Sequence, residues 1–181
     1  DSRLWTEDTT LSVEAREKIR RSLEAVEEKR EGRSLEIVAF GTVSSGKSSL
    51  LNALAGRDVF RTEVRGGTTI TRNEIPWPGN DQVTLVDTPG LAEIKGEQRE
   101  ELAKQAARDA DLVLFVTDGP LKDFEMRLLE VLSAMEKPIV VCLNKEDWFR
   151  PADLDVLLGQ IAEQVRRFVP REDVVALRAQ A

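Results

Sequence analysis

Gly41, Gly46, Lys47 and Ser48, spaced as Gly41-Thr-Val-Ser-Ser-Gly-Lys-Ser48, are the residues best suited to chemistry in this sequence. A glycine at each end lets the backbone turn and approach a ligand closely. The N–H groups between them face one concavity, to which a following helix adds the positive end of its dipole. That arrangement cradles phosphate groups. Lys47 reaches the outer phosphates, and the Ser48 hydroxyl offers an oxygen to Mg²⁺. The nucleotide-binding set expected here is Gly41, Ser44, Ser45, Gly46, Lys47, Ser48 and Ser49. The flanks agree, since Leu35 to Phe40 reads as a buried strand and Ser49-Leu-Leu-Asn-Ala-Leu-Ala55 as the start of a helix.

Four further segments fit the same ligand. Asp87-Thr-Pro-Gly90 follows the strand candidate Val83-Thr-Leu-Val86. Asp87 at that strand end can hold Mg²⁺, and the unobstructed Gly90 N–H can meet a γ-phosphate oxygen. Asn144-Lys-Glu-Asp147 follows the run Ile139–Leu143. The Asp147 carboxylate can accept from guanine N1–H and the exocyclic amine together, a donor pair that adenine lacks. Asn144 is expected to hold neighbouring loops and the purine, and the Lys145 stem to pack on the base face. Val174-Val-Ala-Leu-Arg-Ala179 reads as a last strand whose loop brings the Ala179 N–H to guanine O6, or as a plain terminal strand. Between the helix near 47–55 and the hairpin lies Arg61-Thr-Glu-Val-Arg-Gly-Gly-Thr-Thr-Ile-Thr-Arg72, glycines and hydroxyls that suit a mobile loop delivering one threonine to Mg²⁺. Thr69 and Thr71 lead as that ligand and Thr68 follows.

The elements that must position these residues are legible as alternating patterns. Strands are expected at Leu35–Phe40, Thr71–Ile75, Val83–Asp87, Leu112–Thr117, Ile139–Leu143 and Val174–Leu177, and helices near 47–55, 97–109, 122–136 and 152–168. Continuous Val/Ile/Leu runs between amphipathic helices describe a parallel sheet covered on both faces. Pro76-Trp-Pro-Gly-Asn-Asp81 is a turn that joins an antiparallel edge hairpin. Ligands of such sheets bind beyond the carboxyl ends of the strands, where all the motifs above fall. Residues 12–33 carry Ile19, Leu23 and Val26 at helical spacing and form a narrow amphipathic helix. The expected organisation is an N-terminal helical arm over 1–34 and one catalytic domain over 35–181, excised from a longer protein.

Composition excludes several classes. There is no histidine, so histidine acid/base and histidine–metal chemistry are absent, and oxygen ligands must carry any metal. The single cysteine, Cys142, sits inside an apolar run and forms no internal disulfide. No apolar run approaches the roughly 18 residues that a membrane span needs. A net charge of −7 opposes broad contact with a nucleic-acid backbone or an anionic membrane, so direct nucleic-acid binding by this segment is not expected. The expected location is cytoplasmic, with any peripheral or anchored association at the inner membrane running through regions outside this chain.

Taken together, Gly41–Ser48, the glycine/threonine loop, Asp87–Gly90 and Asn144–Asp147 resemble the translation-factor-related (TRAFAC) P-loop GTPases over about residues 35–181. Gly66-Gly-Thr-Thr69 and Asp87-Thr-Pro-Gly-Leu91 are similar to the Era-like bacterial GTPases. Ser44-Ser-Gly-Lys-Ser-Ser49, Arg65-Gly66, Thr71-Arg72 and the leading helix are similar to dynamin-like proteins. The resemblance implies an α/β three-layer sandwich of the P-loop NTPase type, with a mostly parallel six-stranded sheet, one antiparallel edge strand and the N-terminal helix. It implies hydrolysis of GTP to GDP and phosphate by an in-line water, with Lys47, Ser44 and Thr69 as catalytic residues and Ser48, Thr69, Thr71 and Asp87 as metal ligands. Ras-like enzymes orient that water with a glutamine where this chain has Leu91. Ser44 stands where potassium-activated Era-like enzymes carry an asparagine, closer to the dynamin arrangement in which K⁺ or Na⁺ neutralises charge on dimerisation. Slow turnover, raised by a partner or a nucleotide-dependent homodimer, is what this combination implies. A nucleotide-binding interaction module with little hydrolysis is the alternative that Leu91 leaves open, while Asp147 opposes an ATPase.

Overall fold

The computed structural model describes residues 12–27, 34–42, 44–58, 60, 73–88 and 94–179. Six strands form one sheet in the order β2-β3-β1-β4-β5-β6. They are β1 (Leu35–Gly41), β2 (Asn73–Trp77), β3 (Asn80–Asp87), β4 (Leu112–Thr117), β5 (Ile139–Leu143) and β6 (Val174–Ala176). Every neighbouring pair is parallel except β2 with β3. The expected sheet is therefore present, antiparallel edge included. β4 and β5 have the expected bounds. The edge hairpin ends differently: β2 runs on to Trp77 instead of stopping at Ile75, and β3 starts at Asn80 instead of Val83. Cross-strand pairing explains the shift, because Trp77 pairs with Asn80 across a Pro78–Gly79 turn in which Gly79 takes φ 88°.

The side chains of the central strands divide by parity between two layers. Ile37, Ala39, Leu112, Leu114, Val116, Val140 and Cys142 join the core under α1 (Val13–Glu27) and α2 (Lys47–Ala55). Val38, Phe40, Val113, Phe115, Ile139, Val141 and Leu143 join the opposite core, under α3 (Glu97–Ala107), α4 (Asp123–Ala134) and α5 (Pro151–Val165). Uninterrupted apolar runs are thus required, since both faces of each strand are dry. Burial pushes the Cys142 thiol up to about 12, which leaves it a small core side chain.

Local signals set the helix ends. α4 starts one residue later than expected because Lys122 is its cap: the Lys122 N–H donates to Glu125 Oε2 at 2.8 Å. It stops short of 136, where Glu136 turns left-handed at φ 57°. α5 opens on Pro151, whose missing N–H costs nothing at a first helical position. On α1, Ala15, Ile19 and Leu23 recur every fourth residue and are buried against the sheet, in one cluster with Leu177 of the chain's last described turn. A Lys18–Asp173 ion pair joins α1 to the 3₁₀ turn (Arg171–Asp173) that leads into β6.

The parallel strands end together. Register places Ala39 beside Asp87, Gly41 beside Val116, Thr117 beside Leu143, and Leu143 beside Ala176. The segments that follow Gly41, Asp87 and Leu143 leave from this edge.

Candidate nucleotide-binding site

At the exit of β1 the chain is packed too closely for any side chain but hydrogen. A Cβ on Gly41, at φ 151°, would lie 2.3 Å from the Val116 carbonyl oxygen and 2.7 Å from Ser45 Oγ. Gly46, at φ 93°, would bring a Cβ to 2.0 Å from Asn144 Nδ2. Both glycines are thus required by backbone conformation and by the approach of a neighbouring strand end. The loop is organised on the Thr42 carbonyl, which accepts from Ser45 N at 3.2 Å, Ser45 Oγ at 2.8 Å and Lys47 Nζ at 2.8 Å. Gly46 caps α2 without a side-chain hydrogen bond. The first turn of that helix therefore presents the partial positive charge that favours a phosphate.

Lys47 is 4% exposed, and burial lowers its pKa, a shift partly opposed by the nearby Asp87 carboxylate. Asp87 is held the other way. Burial raises its pKa, while a hydrogen bond from Ser48 and the charge of Lys47 pull it down. Ser48 Oγ donates to Asp87 Oδ2 at 2.5 Å, but Asp87 Oδ1 is buried with no hydrogen-bond partner. An orphaned carboxylate oxygen beside a hydroxyl is a hard, oxygen-only donor set, which fits Mg²⁺. Among the described residues no group of three or more His, Cys, Asp or Glu could hold a metal. Mg²⁺ ordinarily fills its other positions with phosphate oxygens, water and further oxygen donors. Thr88 Oγ1 donates to the Ala39 carbonyl at 2.7 Å and fastens the exit of β3 to β1. Thr68, Thr69, Thr71, Gly90 and Leu91 lie outside the described residues.

Asn144, 1% exposed, connects three loops. Its N–H donates to the Thr117 carbonyl at 2.8 Å, its Nδ2 to the Ser45 carbonyl at 3.0 Å, and its Oδ1 accepts from Ala179 N at 3.0 Å. The Gly41–Ser48 loop, the exit of β4, the Asn144 segment and the C-terminal segment are therefore one hydrogen-bonded unit. The Ala179 N–H, read in the sequence as the donor to guanine O6, is donated here to Asn144. Asp147 is exposed, with Arg178 Nε 3.9 Å from its Oδ2. The Glu146 N–H donates to the Leu177 carbonyl at 3.3 Å. Lys145 adopts a left-handed backbone, φ 64°, and its Nζ lies 3.6 Å from Asp118 Oδ2 and 4.4 Å from the Trp148 ring centre. Ser44 is exposed on the phosphate loop, whereas Ser49 is buried in the first turn of α2.

Thr42, Asp118, Thr88 and Arg178 are the contributors that motif reading missed. Asp118 follows directly on β4, so the rule that ligands gather at strand carboxyl ends could have found it. The Thr42 carbonyl carries no sequence signal, because any residue supplies one.

A parallel sheet of this order, a glycine-bracketed loop between β1 and α2, an aspartate ending β3 and Asn-Lys-Glu-Asp after β5 together define a P-loop GTPase fold. Residues 36–145 match the family described as 50S ribosome-binding GTPase, and the chain belongs to it as an Era-like GTPase domain. GTPase Der of Pseudomonas fluorescens is 31% identical over 141 residues, 72% of this chain and 29% of its own length. GTPase HflX of Thermococcus kodakarensis is 33% identical over 181 residues, covering 90% of this chain and 40% of HflX. In three dimensions, a variant of Aquifex aeolicus Era bound to GDP.AlF4- superposes with a TM-score of 0.61 at 29% identity, over 81% of this chain and half of Era. The chain thus spans less than half the length of these curated relatives.

Proposed function

We propose that this domain binds GTP and hydrolyses it to GDP and phosphate with Mg²⁺, acting as a switch within a larger protein. The observation that carries the reading is Asn144, which locks the phosphate loop to the segment bearing Asp147. A triphosphate and a guanine base can therefore be gripped by one rigid frame.

Each residue has a role in that frame. Lys47, already buried and directed at the Thr42 carbonyl, transfers to the β and γ phosphates, where a fixed cation offsets charge without solvent reorganisation. Ser48 and Asp87 would hold the divalent ion, which when bound would supply positive charge to offset that developing on the phosphate oxygens. Asp147 selects guanine, and must leave Arg178 to do so. Thr69, with Thr71 and Thr68 as alternatives, supplies the switch hydroxyl, and Gly90 the N–H that senses the γ-phosphate. Leu91 cannot orient the attacking water, and Ser44 offers one hydroxyl towards a monovalent cation (K⁺ or Na⁺). A second copy, a partner or another domain of the same protein then completes the site. Among the described residues no helix is long and apolar enough to cross a membrane. The proposed location is cytoplasmic.

Calorimetry with GDP and ADP in the presence of Mg²⁺ tests the base assignment. GDP should bind far more tightly than ADP. Asp147→Asn should cost roughly 10- to 100-fold in guanine preference, the worth of one bidentate base contact. Lys47→Ala should instead weaken all nucleotides. Unchanged guanine preference in Asp147→Asn would remove that loop from the site. Turnover that ignores protein concentration and added K⁺ or Na⁺ would argue against completion by a second copy.

A further inference from the structure

We propose that Trp148 is a positioning residue for nucleotide binding, which with Asp118 clamps the Lys145 side chain before the base arrives. The inference deepens the reading above and rests on it. Lys145 and Trp148 are three residues apart across a single 3₁₀ turn, Glu146–Trp148, closed by Trp148 N–H donating to the Lys145 carbonyl at 2.9 Å. This tight turn brings residue 148 back beside residue 145, so the indole and the lysine side chain lie on the same side of the loop. The Lys145 ammonium lies 4.4 Å from the indole centre, and on another side 3.6 Å from Asp118 Oδ2 at the end of β4. The left-handed backbone of Lys145 is unfavourable for a side chain of this kind. Such conformations persist where surroundings over-determine them, commonly at functional sites.

Trp148 is 70% exposed and is absent from both hydrophobic cores. Its position is thus not set by core packing. Holding the ammonium also holds the four-carbon stem, the part of Lys145 that is to lie on the purine. A free lysine side chain surrenders much rotational freedom when it is immobilised, so immobilising it beforehand favours binding. Asp118 contributes an ion pair that salt screens, while the indole contributes a contact that depends on ring geometry. The neighbouring charges, Glu146, Asp147 and Arg178, do not replace the ring.

The test is a double-mutant cycle on GDP affinity, measured by calorimetry with Mg²⁺, on the whole chain. Trp148→Ala should weaken GDP by about two- to fivefold, the size of an exposed cation–π contact. Trp148→Phe should recover most of that loss. In a Lys145→Ala background, Trp148→Ala should cause no further loss. Equal loss in both backgrounds, or none in either, overturns the proposal. A second readout needs no nucleotide: the Lys145 methylene protons should be shifted upfield by the indole in the ligand-free protein and should relax in Trp148→Ala. Failure to see that shift overturns the clamp directly. A wild-type protein that shows the shift but binds no guanine nucleotide would instead sink the function proposed above.

Discussion

Replacing Ile19 by alanine should destabilise the nucleotide-binding domain itself. Ile19 is fully buried on α1, in one cluster with Leu112, Leu114, Val140, Cys142 and Leu177 of the sheet layer. Removing a buried isoleucine down to its Cβ costs about 2–5 kcal/mol, through lost transfer energy and the cavity left behind. The whole stability of a domain is about 5–15 kcal/mol. In a chain of this size each kcal/mol moves the midpoint by roughly 2–4 °C, so the expected fall in Tm is about 5–20 °C. Far-UV circular dichroism should show one cooperative transition, and urea unfolding should give a lower midpoint with an unchanged slope. A loss below about 1 kcal/mol, or an early separate melting of α1 with the rest unaffected, would refute the argument that this helix is part of the core. The matter bears on function, because the sheet edge that α1 covers carries Leu177 and Ala179 into the base loop.

Two other substitutions separate strain from contact and charge from shape. Gly46→Ala must strain φ 93° and displace Asn144 from the Ser45 carbonyl, a combined cost of about 2–4 kcal/mol read by urea unfolding. Gly79→Ala, also at positive φ but with nothing within 4 Å of the added Cβ, should cost only about 1 kcal/mol; equal losses would deny the clash. Glu125 is buried, and desolvation raises its carboxyl pKa above 4.5. Its contribution to stability is therefore complete below the unfolded-state value and lost as pH rises through the raised one. Glu125→Gln keeps an oxygen for the Lys122 N–H. It should be more stable than the wild type at pH 7–8, with the advantage shrinking towards pH 4.5; an advantage independent of pH would refute the burial argument.

Much of the site was legible because its chemistry is local. Glycines at fixed spacing before a lysine, an aspartate ending an apolar run and Asn-Lys-Glu-Asp after another are short-range facts, and strand ends in a parallel sheet must share one edge. The bounds of β4 and β5 were equally legible, since a strand dry on both faces can only be a continuous apolar run. The turn of the edge hairpin was misread, since β2 runs two residues further and β3 begins three residues earlier than the pattern suggests. There the pattern is weak on an exposed edge, and pairing across the Pro78–Gly79 turn decides the register.

What the chain's order alone determined, then, is the sheet, the phosphate loop and the motifs that gather at one edge of the sheet. Only the tertiary structure decided how they are joined. Asn144 binds loops 99 and 35 residues away along the chain. It takes the Ala179 N–H that the sequence had offered to a base, and no periodicity or spacing encodes such a choice. The 3₁₀ turn that lays Trp148 over Lys145, and the seating of α1 against β4 and β6, have the same origin. Contacts between distant segments are settled by which surfaces meet when both faces of the sheet are covered, and that competition exists only in the folded chain.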